Sequence, residues 1–193
     1  MERNTKEDII LRTLELGQEK GLANVSIQDI ANAMGLRKSS LYSHFKSKDE
    51  IMQSILNHCK ALLSKKDFVV DFKAKDAQDL LVSLLSSFME TFGEPPLSQY
   101  YAVVQQQRLF DKAFAEAAHE MESMITARIQ VALEYCVQRS WLDIPDTDAA
   151  SYMFSPCIQN CLAKLASSPT LGSDIDADEE LDTLVDEMLS LFS

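Results

Sequence analysis

The sequence predicts an all-α fold of about nine helices, a three-helix head followed by a longer helical body. Three observations predict it. Five glycines and five prolines in 193 residues favour long helices over many tight turns. Apolar residues recur at helical spacing through most of the chain, so each helix has one face to bury. Serine followed three residues later by an acidic residue marks helix starts at Ser26 and Ser47. Hydrophobic content of 46% and charged content of 25% suit an ordinary globular core. The length suits one domain or two small ones.

Residues 1–5 read as a frayed arm. The first helix, 6–20, puts Ile9, Ile10, Thr13, Leu14 and Gly17 on one face, and Gly21 ends it. Ser26 caps the second helix, whose apolar face is Ile27, Ile30, Ala31 and Met34. Gly35 then supplies the positive φ that a tight turn after a helix needs. The third helix, 38–45, pairs Leu41 with Phe45 at i, i+4 and leaves Lys38, Ser39, Tyr42 and Ser43 outward. Arg37, just before it, is a poor cap, so its residue type points to a use of its charge. The fourth helix, 48–65, carries Ile51, Ile55, Cys59, Leu62 and Leu63 on one side.

Segment 65–72 breaks the helical period and reads as a connection. The fifth helix, 76–92, has Leu80, Leu81, Leu84, Leu85, Phe88 and Phe92 inward, and Gly93 with Pro95-Pro96 stops it. Helices at 98–110 and 112–140 follow, the latter closed by the segment Trp141 to Pro145. Asp146 or Thr147 can cap a helix at 148–167, which Pro156 should kink or shift in its start. Ser168 to Asp174 reads as a loop. A last helix, 177–191, opens on acidic residues that suit a helix N-terminus.

The stretch from Val25 to Ile51 is therefore a short helix, a glycine turn and a second short helix with basic, hydroxyl and aromatic residues outward. That is the outline of a helix-turn-helix. Its residues also carry a resemblance. Ser26-x-x-x-Ile30-Ala31, Met34-Gly35-Leu36 and the run Ser40-Leu41-Tyr42-Ser43-His44-Phe45-Lys46-Ser47-Lys48-Asp49-Glu50-Ile51 resemble the DNA-binding signature of the TetR family of bacterial repressors. The resemblance covers roughly the first quarter of the chain. Two positions depart from it: Arg37 stands where the family often has a small capping residue, and Ser39 where it often has glycine.

Net charge is −12, which alone argues against a nucleic-acid binder, but its distribution reverses that. Residues 1–66 hold 11 Lys and Arg against 8 Asp and Glu, whereas residues 67–193 hold 7 against 22. A basic head on an acidic body suits a molecule whose head alone meets phosphate. Arg37, Lys38 and Lys48 can neutralise phosphates or bond guanine, and the hydroxyls of Ser39, Ser40, Tyr42 and Ser43 can reach phosphate oxygens. The helix start at Ser26 points amides outward, as a phosphate contact requires. The resemblance implies DNA contacts at Lys38, Ser39, Tyr42, His44 and Lys48. A merely solvated basic face is the alternative.

No apolar run is long enough for a transmembrane helix, and the N-terminus lacks the apolar core of a secretory signal. Four cysteines spread over predicted helices are no disulfide framework, so a reducing cytoplasm is the simpler setting. Cys157 and Cys161 share a helix face and could form a thiol sensor or half a soft-metal site, but two small residues in a packed seam is the preferred reading. His58 and His119 read as helical histidines satisfied by a neighbour. The acid run 174–180 lacks the glycine and spacing of a calcium loop. No Gly-rich phosphate loop, G-x-S-x-G or H-E-x-x-H occurs, so neither an enzyme nor a cofactor is expected.

The aromatic and methionine residues Phe88, Met89, Phe92, Tyr100, Tyr101, Phe110, Phe114, Met121 and Met124 could line a small-molecule cavity, although spacing alone would place many in an ordinary core. Aromatic faces within an acidic body point to an apolar, neutral or cationic ligand. Tyr152, Phe154, Leu162, Leu165, Leu181, Leu184, Val185, Leu189 and Leu191 on the last two helices suggest more apolar surface than a monomer exposes. The resemblance implies a head at 1–47 that binds a palindromic operator in double-stranded DNA. It implies a body at 48–193 that binds an effector and forms a homodimer through those last helices. It implies a transcriptional regulator, most often a repressor, released by its ligand. A non-DNA-binding adaptor or small enzyme that keeps the head as a fold element is the competing class.

Overall fold

The computed structural model describes residues 5–68, 70–171 and 177–192. Among these residues the regular structure is entirely helical, in nine α-helices. They are α1 (Thr5–Lys20), α2 (Ile27–Ala33), α3 (Lys38–Tyr42), α4 (Lys48–Leu63), α5 (Ala77–Gly93), α6 (Leu97–Gln107), α7 (Lys112–Gln138), α8 (Thr147–Leu171) and α9 (Ala177–Phe192). A single 3-10 turn, Leu22–Asn24, lies between α1 and α2. Two compact units result. One joins Met1–Lys66 with Glu94–Ala118, and the other joins Asp67–Gly93 with His119–Ser193.

In the first unit the inward faces of α1, α2, α3 and α4 meet in one core. Ile9, Leu14, Leu22, Ile30, Leu41, Ile51 and Ile55 are fully buried there. Helix α6 packs against both α1 and α4 and adds Val103 and Val104. The α1–α6 approach is close because Gly17 lacks a side chain: a Cβ there would stand 3.0 Å from Val103 Cγ2. The residue at position 17 therefore sets how tightly these helices pack.

The caps form as their residue types require. Ser26 accepts from the Asp29 amide at 3.1 Å while the Asp29 carboxylate accepts from the Ser26 amide at 2.7 Å. Ser47 accepts from the Glu50 amide at 3.1 Å, and the Glu50 carboxylate reaches one residue further back, to the Lys46 amide at 2.6 Å. Gly35 turns the chain at φ 64°. Helix α3 stops at Tyr42, short of the 38–45 span expected. The amides of Ser43 and His44 bond carbonyls three residues back, at 3.2 and 3.0 Å, and this tightens the last turn. Phe45 remains buried all the same.

The second unit packs α5 against α8 and α9, and α8 against α9. Its core holds Leu80, Leu81, Leu84, Phe88 and Phe92 of α5, Ile125, Ile129 and Leu133 of α7, Ile158 and Leu162 of α8, and Val185 of α9. The connection before α5 is anchored at two points. Phe68 lies on Phe88 with ring centroids 4.9 Å apart, and the Tyr135 hydroxyl donates to the Phe72 carbonyl at 2.9 Å. Asp146 caps α8 by accepting from the Ala149 amide at 3.0 Å.

Three expectations for α8 and α9 are revised. Helix α8 runs through Leu171, so residues 168–171 are helical where a loop was expected; 172–174 lie outside the described residues. Helix α8 starts at Thr147 and continues through Pro156, so the proline does not shift its start. Most of the apolar residues read as an uncovered edge are inside: Phe154, Leu162, Leu181 and Val185 are buried, and Leu165, Leu184 and Leu189 are half-buried. Packing of α5, α8 and α9 consumes them. The large apolar side chains exposed on these two helices are Tyr152, Met153 and Leu191.

Candidate nucleic-acid interface

Local rules place the predicted face outward. Leu41 and Phe45 bury one side of α3 and its following turn. The helical period then turns Lys38, Ser39 and Tyr42 away from the core, with Arg37 and Ser40 exposed beside them. Tyr42 is 45% exposed, with the Lys38 ammonium 5.9 Å from its ring centroid. That distance allows a cation–π contact that holds both side chains on one surface. The Ser43 hydroxyl is turned back onto the Ser40 carbonyl at 2.6 Å, and His44 is half-buried. Arg37 precedes α3 without capping it, so its guanidinium is not spent on the helix end.

Helix α3 carries no carboxylate. The acid on α2, Asp29, is already committed. It takes the Ser26 amide and hydroxyl, and Lys20 stands 3.0 Å away. These bonds, from Ser26 first and then Lys20, hold its pKa at about 2. The negative charge is fixed in the cap. Ser26 thus offers a phosphate the start of α2 rather than its own hydroxyl proton, which goes to Asp29.

Lys48 lies at the start of α4, and its ammonium donates to the Ala23 carbonyl at 3.0 Å. Burial lowers its pKa, opposed by Asp49 and then Asp29. An ammonium has three protons, so two remain for another acceptor. Lys48 therefore ties α4 to the turn before α2 and still carries charge to the surface. Sequence order hides this bond, because its partners are 25 residues apart. An exposed pair also went unnoticed on α2, where Gln28 donates to Asn32 at 2.7 Å; its i, i+4 spacing was the available signal.

The residues read as ligand-lining are placed differently. Phe88, Met89, Phe92 and Met121 are buried in the second unit, and Met124 is half-buried there. Tyr100, Tyr101 and Phe114 are buried in the first unit. Phe110 is 85% exposed at the turn after α6, so it forms no part of an enclosed wall. Two clefts in the second unit, between α7 and α8 and between α8 and α9, are lined by other residues. Cys157 is exposed, while Cys161 is buried, and burial raises the latter's thiol pKa. Burial pushes Cys59 to about 12 and Cys136 to about 11, so both behave as small apolar residues. Among the described residues no group of three or more His, Cys, Asp or Glu side chains could hold a metal. No helix among them is long and apolar enough to cross a membrane.

Residues 9–55, which span α1 to the middle of α4, match the pattern described as "Bacterial regulatory proteins, tetR family". Over this stretch the chain is similar to that family. The chain is 30% identical over 95 residues to IcaR of Staphylococcus aureus (strain Newman), a biofilm operon HTH-type negative transcriptional regulator. That match covers 49% of this chain and 51% of IcaR. The chain spans between about a third and about half of the length of the curated relatives it matches. A solved structure of a putative transcriptional regulator from Saccharomonospora viridis in complex with choline superposes with a TM-score of 0.71 at 17% identity, covering 96% of this chain and 95% of that one. AibR in complex with isovaleryl coenzyme A and operator DNA gives 0.70 at 14% identity, covering 94% and 96%. These structures share the fold along nearly the whole chain.

Proposed function

We propose that this chain is a TetR-type transcriptional regulator, acting as a repressor, and not an enzyme. Its head, residues 1–47, docks α3 in the major groove of an operator. The observation that carries this is the surface of α3. Arg37, Lys38, Ser39, Ser40 and Tyr42 project from a buttressed helix that bears no carboxylate, and the nearby Asp29 is tied up in a cap. Such a helix can approach phosphate without repulsion and present hydroxyl and cationic donors to base edges. His44 is half-buried and sits at the edge of that surface. The repressor sense is supported by IcaR, a negative regulator.

The remainder, residues 48–193, forms a homodimer and binds a small effector. Exposed Tyr152 and Met153 on α8 and Leu191 on α9 favour the last two helices as the seam. Two heads related by a two-fold axis read a palindrome, and a ligand that favours a different head spacing releases the DNA. For the effector, Phe88, Met89, Phe92, Met121 and Met124 remain the candidate wall within the second unit. Because Phe88 and Phe92 are fully buried, the effector must open space among them. The choline and isovaleryl coenzyme A complexes of proteins with this fold support a small-molecule effector.

The test is fluorescence anisotropy with DNA flanking the chain's own coding sequence and with scrambled DNA of the same length. Preferential binding that weakens steeply with salt is expected. Equal affinity for both DNAs up to micromolar protein would overturn the reading. Light scattering at micromolar concentration gives the dimer its own test, and a monomer mass refutes it.

A further inference from the structure

Between Val25 and Ile51 the sequence holds two carboxamide side chains, Gln28 and Asn32, and both lie on α2. Both are exposed, one helical turn apart, and Gln28 Nε2 donates to Asn32 Oδ1 at 2.7 Å. The other rows of α2 are occupied. Ile30 and Ala31 face the core, and Asp29 is turned to Lys20 of α1 at 3.0 Å. Helix α2 packs directly on α3, so the amide pair belongs to the same small head as Arg37, Lys38 and Tyr42. We propose that Gln28 reads an adenine in each operator half-site, with Asn32 as the residue that orients it. This rests on the DNA-binding reading of the head and adds a base preference to it.

The chemistry of the pair selects the base. A carboxamide has two N–H donors and one acceptor oxygen. The bond to Asn32 takes one N–H and fixes the amide plane. One N–H and the oxygen of Gln28 remain, side by side. Adenine offers their complement in the major groove, since its N7 accepts and its N6 amino group donates. Guanine offers two acceptors, N7 and O6, so the Gln28 oxygen would meet another lone pair there. Thymine offers an acceptor and a methyl group, and cytosine a donor, so each satisfies half of the pair at most. A phosphate presents acceptors alone and leaves the Gln28 oxygen opposed.

The rest of the surface does not duplicate this contact. Arg37 and Lys38 suit guanine or phosphate, and the hydroxyls of Ser39, Ser40 and Tyr42 couple no donor and acceptor in one plane. In the docking of a helix-turn-helix the second helix fills the groove while the first crosses the backbone beside it. A long side chain on the exposed row of α2 can then reach over the groove edge to an outer base. Holding its plane before DNA arrives removes a rotation that binding would otherwise have to freeze.

The experiment selects bound duplexes from a randomised DNA pool with the full chain, then measures anisotropy on the selected duplex and on its single-base-pair variants. Gln28→Ala, Gln28→Glu, Asn32→Ala and Asn32→Asp accompany the wild type, with circular dichroism to check that each folds. The wild type should prefer adenine about tenfold or more at one position of each half-site. Gln28→Ala should lose that preference and keep those at other positions. Gln28→Glu should favour cytosine there, because a carboxylate accepts from the N4 amino group. Asn32→Ala should weaken the preference, and Asn32→Asp, which keeps an acceptor facing Gln28, should retain it at a lower overall affinity. An adenine preference unchanged in Gln28→Ala overturns the proposal and leaves the DNA-binding reading standing. So does a Gln28→Ala loss that is equal on every duplex, which marks a phosphate contact. Selection of no sequence by the wild type overturns the operator reading itself, and this proposal with it.

Discussion

Replacing Lys48 with alanine separates two roles that the geometry allows. The ammonium holds the Ala23 carbonyl at 3.0 Å, and two of its protons remain for a phosphate. If it only tethers α4 to the turn, the loss is one partly exposed hydrogen bond, about 0.5–1.5 kcal/mol of stability, with the salt dependence of DNA binding unchanged. If it also neutralises a phosphate, each head loses about 0.9 from the slope of log affinity against log salt. A homodimer with both heads engaged then loses about 1.8, and the ratio of wild-type to mutant affinity shrinks about twelvefold between roughly 50 and 200 mM salt. We expect the second outcome. The assay is anisotropy titration of operator DNA at several salt concentrations, with a urea melt of each protein to show that the mutant is folded. A folded Lys48→Ala protein whose salt slope equals that of the wild type would refute the phosphate role.

Three further outcomes follow from the same structure. Gly35→Ala should cost about 1 kcal/mol in urea denaturation, because φ is 64° while an added Cβ meets nothing within 4 Å, so backbone strain acts alone; unchanged stability would contradict it. Asp29 has a folded pKa of about 2 against an ordinary 3.8, so its stabilisation is present above the ordinary value and is lost as pH falls toward about 2. The gap between wild type and Asp29→Asn in the denaturation midpoint should therefore close over that window, and a gap that widens on acidification contradicts the sign. Phe88→Ala should cost about 3–5 kcal/mol by chemical denaturation, since the ring is fully buried and packed on Phe68; a loss under about 1 kcal/mol would mean that Phe88 is not packed in this core.

The head was legible because its determinants are local. Ser26 with Asp29, Gly35 at a positive φ, and Leu41 with Phe45 all act within four or five residues, and such spacing can be read directly. The exposed side of α3 follows from its buried side by the helical period alone. The charge contrast between residues 1–66 and 67–193 is likewise a property of order along the chain. The body was legible as helices but not as surfaces. An apolar stripe shows that something is covered without naming the cover. Phe154, Leu162 and Val185 were therefore read as an open edge, although α5, α8 and α9 bury them against one another within the subunit.

The sequence by itself determined where helices begin, which faces are apolar, and which residues of the head point to solvent, because these depend on neighbours within one or two turns. Only the tertiary structure decided the rest. It grouped residues 94–118 with the first 66, through the fit of Val103 over Gly17. It brought the Lys48 ammonium to the Ala23 carbonyl, exposed Phe110 while burying Phe114, and gathered Thr126 and Ser155 from different helices into one polar cleft. Each of these is a meeting of residues far apart in the chain. Their pairing is set by which helices pack together, and the helical period carries no record of the partner.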